Sequence, residues 1–242
     1  MSTERAPLAS LILAAGLALA GLLTGVGIGR IRSAERYVTV KGISEREARA
    51  DLAIWPLRIS AADNDLARAH AQLENSVSRI RQFLARNQID TSQVSRQEFR
   101  VLDAFTNQYG GERVTSRYVI RETILVRSSQ PDLVLAASQR IAELVSAGVV
   151  LSSGEEYGGG GPTFIFTGLN QLKPEMIAEA TSRARESAEQ FARDSRTTLG
   201  GIRRANQGVF EILPRDQAQG ITEASQIVKT VRVVSTIDYL LR

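Results

Sequence analysis

Hydrophobic and polar positions along the chain fall into three kinds of pattern. The first is one unbroken apolar run, residues 8–29 (LASLILAAGLALAGLLTGVGIG), without a charge. At 1.5 Å per residue it reaches roughly 33 Å as a helix, enough to cross a bilayer core. The second is helical periodicity. Leu66, Leu73, Val77, Ile80 and Leu84 form one stripe and predict a helix over 64–86, with Asp63 or Asn64 as cap and Asn87 at its end. Val134, Ala137, Ile141 and Leu144 predict a second over 131–146, opened by Pro131 and stopped by Gly148. Ile177, Ala180, Ala184, Ala188 and Phe191 predict the longest, over 173–198, with Pro174 near its start and Gly200–Gly201 ending it. The third is alternation with period two. It predicts strands at 37–41, 53–59, around Phe99, Val101 and Phe105, at 118–126, and finally over 208–213 and 227–241. Pro56 argues for an edge or a bulge in the second strand. The last strand carries apolar residues on both faces and so belongs in the middle of a sheet.

The order is β-β-α-β-β-α-(β-β)-α-β-β, the short pair being the apolar runs 149–151 and 164–166. Helices separated by antiparallel strand pairs predict an α+β fold, with antiparallel sheet covered by helices on one face and one N-terminal transmembrane helix before it. Residues 107–112, with Gly110–Gly111, read as a hairpin, and 214–225 as an exposed polar loop. The expected organisation is a tail (1–7), a transmembrane signal-anchor (8–29), a linker (30–36) and one folded domain (37–242).

The apolar run reads as a retained anchor. A cleaved signal has a shorter apolar stretch and a small-residue site after it, whereas Ala18-Leu19-Ala20 lies inside the run. Arg30, Arg32, Arg36 and Lys41 follow it and Arg5 precedes it, so a count of positive charges puts the C-terminal side in the cytoplasm. Gly21, Gly25 and Gly29 recur every four residues and share a face that would let two helices approach closely.

Composition removes several chemistries. With no Cys and one His, the chain of 242 residues builds no disulfide, thiolate metal site, cysteine nucleophile or two-histidine zinc motif. The net charge of +4 rests on 27 Arg and three Lys. The pairs Arg79/Arg81, Arg183/Arg185 and Arg203/Arg204 lack interleaved aromatics, and they read as solvated helix faces with no nucleic-acid partner expected. His70 has no positioned acid or nucleophile that the sequence reveals. Asp63, Asp65 and Glu74 occupy positions 1, 3 and 12 of a calcium loop, but Arg68 stands where that loop needs Gly. The run Gly158–Gly161 leads into a strand and lacks the G-K-[ST] of a phosphate loop. No catalytic, cofactor or metal residue is assigned, and none of these motifs predicts an enzyme.

Several features in fixed order carry a family likeness. They are the opening YVTVKG (37–42), the strand DLAI…LRIS (51–60), the Ala-rich helix ending in Gln88-Ile89-Asp90, a Tyr- and Gly-containing hairpin, the long helix 178–199 running into Leu199-Gly200, and the closing strand 231–241. In this order they resemble the SIMPL domain (DUF541) family, in its bacterial periplasmic and envelope branch. The resemblance implies an exported or envelope-associated protein; some members form ring-like or channel-like oligomers, some are linked to stress tolerance, and an animal relative is a kinase-binding adaptor. The expectation is a non-enzymatic protein anchored by residues 8–29 in the bacterial inner membrane. Its periplasmic domain would form homo-oligomers or bind a protein partner, near Pro56 or the hairpin 105–118, in envelope stress tolerance. Two alternatives stand beside it: a small-ligand-binding or hydrolytic envelope protein, and, from the charge count, a cytoplasm-facing adaptor.

Overall fold

The structure, a computed structural model, describes residues 36–106, 116–152 and 160–242, with 14, 16–18, 20 and 21. Those six N-terminal residues are helical, and Gly21 is among them. Gly25, Gly29 and most of 8–29 lie outside the described residues, as do 107–115 of the expected hairpin. Among the described residues no helix is long and apolar enough to cross a membrane.

The fold is α+β, with two antiparallel four-stranded sheets. In chain order the elements are β1 (Tyr37–Arg49), β2 (Leu52–Asp63), α1 (Leu66–Arg86), β3 (Val94–Asp103), β4 (Tyr118–Ser128), α2 (Pro131–Ser138), α3 (Ala142–Ser146), β5 (Thr163–Ile165), α4 (Leu169–Asp194), β6 (Leu199–Gln207), β7 (Glu211–Pro214) and β8 (Val228–Leu241). One sheet has the order β3-β4-β2-β5; the other has the order β1-β8-β6, with β7 also on β8. Contacts divide the chain into two compact units, one of residues 1–42, 181–207 and 235–242, the other of 43–180 and 208–234.

The larger unit takes its core from two periodicities meeting. Ala53, Trp55, Leu57 and Ile59 alternate along β2, and Ile120, Ile124 and Val126 along β4, all on one face. The stripe Leu73, Val77, Ile80, Phe83 and Leu84 of α1 packs on that face, and Val134, Ala137 and Leu144 close it. Each such fully buried large side chain contributes about 1.5–3 kcal/mol against exposure. A separate cluster joins Ala48, Met176, Ala180, Val231 and Val233. In the smaller unit, Ala184 and Ala188 of α4 meet Val38, Val40, Ile237 and Tyr239. Alanines at this spacing present a flat helix face to a sheet of larger residues.

Local chemistry corrects several sequence expectations. The cap of α1 is Asp65, whose Oδ1 accepts the backbone N–H of Arg68 at 3.1 Å, while Asp63 accepts the N–H of Asp65 at 2.9 Å. The helix expected over 131–146 is two helices joined by tight i→i−3 bonds, Arg140 N–H to Ala137 O and Ile141 N–H to Ser138 O. Helix α4 begins four residues before Lys173, so Pro174 is interior and deletes one backbone bond; Leu169 and Leu172 pack on the Val231 cluster and hold this extra turn. Its end is Arg196 at φ 54°, not the glycine pair. Gly200 instead sits in β6, where a Cβ would meet Leu240 O at 3.0 Å. Strand β6 itself (LGGIRRANQ) has no apolar alternation and escaped the period-two reading.

Pro56 lies in an inner strand and not at an edge. Ser152 N–H donates to Arg58 O, and Ser60 N–H to Val150 O, on the side of β2 away from β4. Alternate residues share a side, so Pro56 turns its ring nitrogen to that same side, where β5 has ended at Ile54 and costs no ladder bond. β8 is central, as its two apolar faces required.

Candidate functional site

Strand β3 ends its sheet, and its residues are almost all exposed. Among the described residues no strand pairs with its outer side, and it is bent by a register shift between Gln97 and Arg100, where Glu98 takes φ 53°. Phe99 lies within that shift, and Val101 just after it. Phe99 is 50% exposed and Val101 48%, both too large to leave in water without consequence. Together with Leu66, Ala67 and His70 of α1 and Ile120 of β4 they line an open apolar groove of about 640 Å³.

A charged cluster adjoins this groove through His70. Glu122, on the core face of β4, keeps a carboxylate only 2% exposed. Arg96 of β3 meets it with two bonds, Nε to Oε1 at 2.5 Å and Nη2 to Oε2 at 2.8 Å. The same guanidinium reaches Glu74 of α1, Nη2 to Oε1 at 2.6 Å and Nη1 to Oε2 at 3.1 Å. The two carboxylates hold the Arg96 guanidinium even more firmly protonated than usual, Glu122 contributing most. The hydrogen bond from Arg96 holds the Glu74 carboxyl below the usual range. His70 joins at the margin, with Nε2 3.7 Å from Glu74 Oε1 and its ring edge-on to Phe99 at 6.4 Å. The expectation of a partnerless His70 is therefore corrected. The i,i+4 spacing of His70 and Glu74 was the available signal; the approach of Arg96 from a different element was not legible.

A more polar cavity of about 360 Å³ lies on the other flank of α1, lined by Ser60, Gln72, Asn75, Ser76 and Arg79 among others. Arg79 is committed there, since its Nη1 donates to Ala147 O. The calcium-template residues do other work: Asp63 and Asp65 organise the start of α1, and Glu74 holds Arg96. Among the described residues no group of three or more His, Asp or Glu is placed to hold a metal. Arg185 pairs with Glu189 at 3.2 Å, and Arg203 stacks over Tyr37 at 4.5 Å. Gly160 and Gly161 are open loop positions, and 153–159 lie outside the described residues.

Lys229 drew no attention in the sequence, yet it is fully buried. Its Nζ donates to Phe164 O at 2.7 Å and to Glu223 O, and it pairs with Glu223 Oε1 at 2.5 Å. It ties β8 to β5 and to the 3-10 turn Glu223–Ser225, a structural clamp.

No curated protein matches the chain. The crystal structure of an uncharacterized conserved protein from Listeria innocua is similar over 78% of this chain and 91% of its own, at 11% identity and a TM-score of 0.20, too low to carry an argument. The sequence model of the family described as "SIMPL: Protein of unknown function (DUF541)" matches residues 38–236, from the first strand almost to the end of the last. That span takes in both sheets, the groove and the Arg96 cluster, and the chain belongs to the SIMPL (DUF541) family.

Proposed function

We propose that this is a non-enzymatic envelope protein, held in the bacterial inner membrane by residues 8–29 with its SIMPL domain on the periplasmic side, and that the domain works by associating with further copies of itself. The observation that carries the reading is the open edge of β3 beside the apolar groove. An unpaired strand edge offers main-chain hydrogen bonds, and Phe99, Val101 and Leu66 offer side chains to bury, which together are the means by which strands add to a sheet. For the small-ligand reading, the groove offers one polar side chain, His70, and the cavity lined by Ser60, Gln72, Asn75, Ser76 and Arg79 offers more, with Arg79 already bonded to Ala147 O.

Sedimentation of the full chain in mild detergent tests the assembly. The expected result is an oligomer that Phe99→Asp or Val101→Lys reduces to monomer, with the Trp55 emission unchanged. A monomer at every concentration sinks the self-association. Topology has its own test, alkaline phosphatase fused after Lys41. An inactive fusion, with a cytoplasmic reporter active in its place, sinks the periplasmic placement and supports the cytoplasm-facing adaptor.

A further inference from the structure

The face of the β3-β4-β2 sheet turned away from α1 has a different character. Along β4 the core face holds Ile120, Glu122, Ile124 and Val126, so the opposite face holds Val119, Arg121, Thr123, Leu125 and Arg127. Cross-strand register adds Ile54 opposite Arg127, Pro56 opposite Leu125 and Arg58 opposite Thr123 from β2. From β3 it adds Ser95 opposite Leu125, Arg100 opposite Arg121 and Leu102 opposite Val119.

This face thus carries Arg58, Arg100, Arg121 and Arg127. Among the described residues, the guanidinium groups of these four make no hydrogen bond or ion pair. Among the described residues, Glu98 brings a carboxylate to this face, where it accepts the Thr123 hydroxyl at 3.1 Å. Arg100 and Arg121 stand directly opposite each other on neighbouring strands, an arrangement of like charges that weakens a sheet. Arg121 and Arg127, six residues apart on one strand, are separated by roughly 20 Å. Between and beside the arginines lie Ile54, Pro56, Leu125, Val119 and Leu102, the last 40% exposed.

We infer that this face docks on an anionic phospholipid bilayer, the arginines taking headgroup phosphates and the aliphatic residues between them resting at the acyl boundary. Charge complementarity requires an anionic occupant. The alternation of guanidinium and aliphatic side chains suits a surface that is phosphate above and hydrocarbon below. Among the described residues of this face none is aromatic, so it offers no ring for stacking bases, which argues against single-stranded nucleic acid. The linker 30–36 spans at most about 25 Å fully extended, so an anchored chain keeps its first strand close to a bilayer. This last argument rests on the anchor proposed above; the charge argument does not.

The test uses the full chain in lipid nanodiscs of phosphatidylcholine, or of phosphatidylcholine with phosphatidylglycerol. The chain has no Cys, so Ser95→Cys reports on this face and Arg81→Cys on the exposed side of α1. Each is labelled with a fluorophore, and spin-labelled lipid is the quencher. The expected result is quenching at position 95 with phosphatidylglycerol, falling at least about tenfold in its binding constant in the R100E/R121E/R127E variant and with added salt. The R100Q/R121Q/R127Q variant gives the same loss at a milder perturbation, and buried Trp55 emission verifies that each is folded. Equal quenching with either lipid, equal quenching at position 81, or quenching that survives both triple variants overturns the inference. Release of the chain from phosphatidylcholine discs overturns the anchor instead, and leaves the dependence on phosphatidylglycerol readable.

Discussion

Replacing Arg96 by methionine leaves the Glu122 carboxylate buried without its cation. That carboxylate is 2% exposed and draws two hydrogen bonds from Arg96, while the Arg96 side chain is 35% exposed. Breaking a fully buried pair from one side costs about 3–5 kcal/mol. Water reaches a third of the arginine and screens part of that charge, so about 2 kcal/mol is the expected loss. Methionine keeps most of the aliphatic stem, so the loss is electrostatic. Replacing both Arg96 and Glu122 by methionine removes the orphaned charge and should recover to within about 1 kcal/mol of the parent. Glu74→Gln leaves the inner pair intact, and its side chain is 41% exposed, so it should cost less than about 1 kcal/mol. The assay is urea unfolding of the full chain in mild detergent, followed by the emission of Trp55. This is the one tryptophan of the chain, it is fully buried, and it sits in the same core. Midpoint shifts at constant slope convert to the double-mutant cycle. The reasoning is refuted if Arg96→Met unfolds within about 0.5 kcal/mol of the parent, or if the double variant is no more stable than Arg96→Met.

Three further outcomes follow from single contacts. Gly208→Ala drives a Cβ to 2.6 Å from Val234 O, which is backbone and cannot swing aside, so a loss of about 1–3 kcal/mol is expected in the thermal midpoint; no change would show that the strand yields. Lys229→Met fills the space of the stem but leaves Phe164 O without its donor, and about 1–3 kcal/mol should be lost by the same urea assay. The N–H of Asp65 first, and then Arg68, hold the Asp63 carboxyl below its ordinary 3.8. Its support of α1 is therefore complete above that ordinary value and is lost as pH falls through the lowered one; amide protection at the start of α1, taken relative to the intrinsic exchange rate at each pH, should fall with acid in the parent, and Asp63→Asn should abolish that dependence.

What the sequence disclosed was periodicity. Leu73, Val77, Ile80 and Leu84 had to share a face, and they do; Val231, Val233, Ile237 and Tyr239 had to be buried on a central strand, and they are. Strand β6 stayed hidden because Gly200, Gly201, Arg203 and Arg204 give no alternation, and its pairing is imposed by β8. Helix α4 starts early because packing of Leu169 and Leu172 outweighs the proline that a local rule placed at its beginning. The site was harder still. Arg96, Glu122 and Glu74 belong to three elements, and Phe99 becomes a groove residue only after a bulge reorients it. Lys229 looked like a polar position on an alternating strand, and its carbonyl partners lie in segments no periodicity connects to it.

The pairing of the first strand has a consequence for how the protein comes into being. β1 borders β8, and Thr39 bonds to Asp238, 199 positions further on. A ribosome delivers β1 (Tyr37–Arg49) long before, and β6 (Leu199–Gln207) shortly before, the strand that separates them, β8 (Val228–Leu241). Closing a loop of that size costs about 5 kcal/mol of chain entropy before any contact repays it. Until residues 228–241 emerge, that sheet lacks its middle, and its waiting strands are free to pair with whatever is near. Completion of this sheet thus waits on residues 228–241, and its non-local pairing is slow.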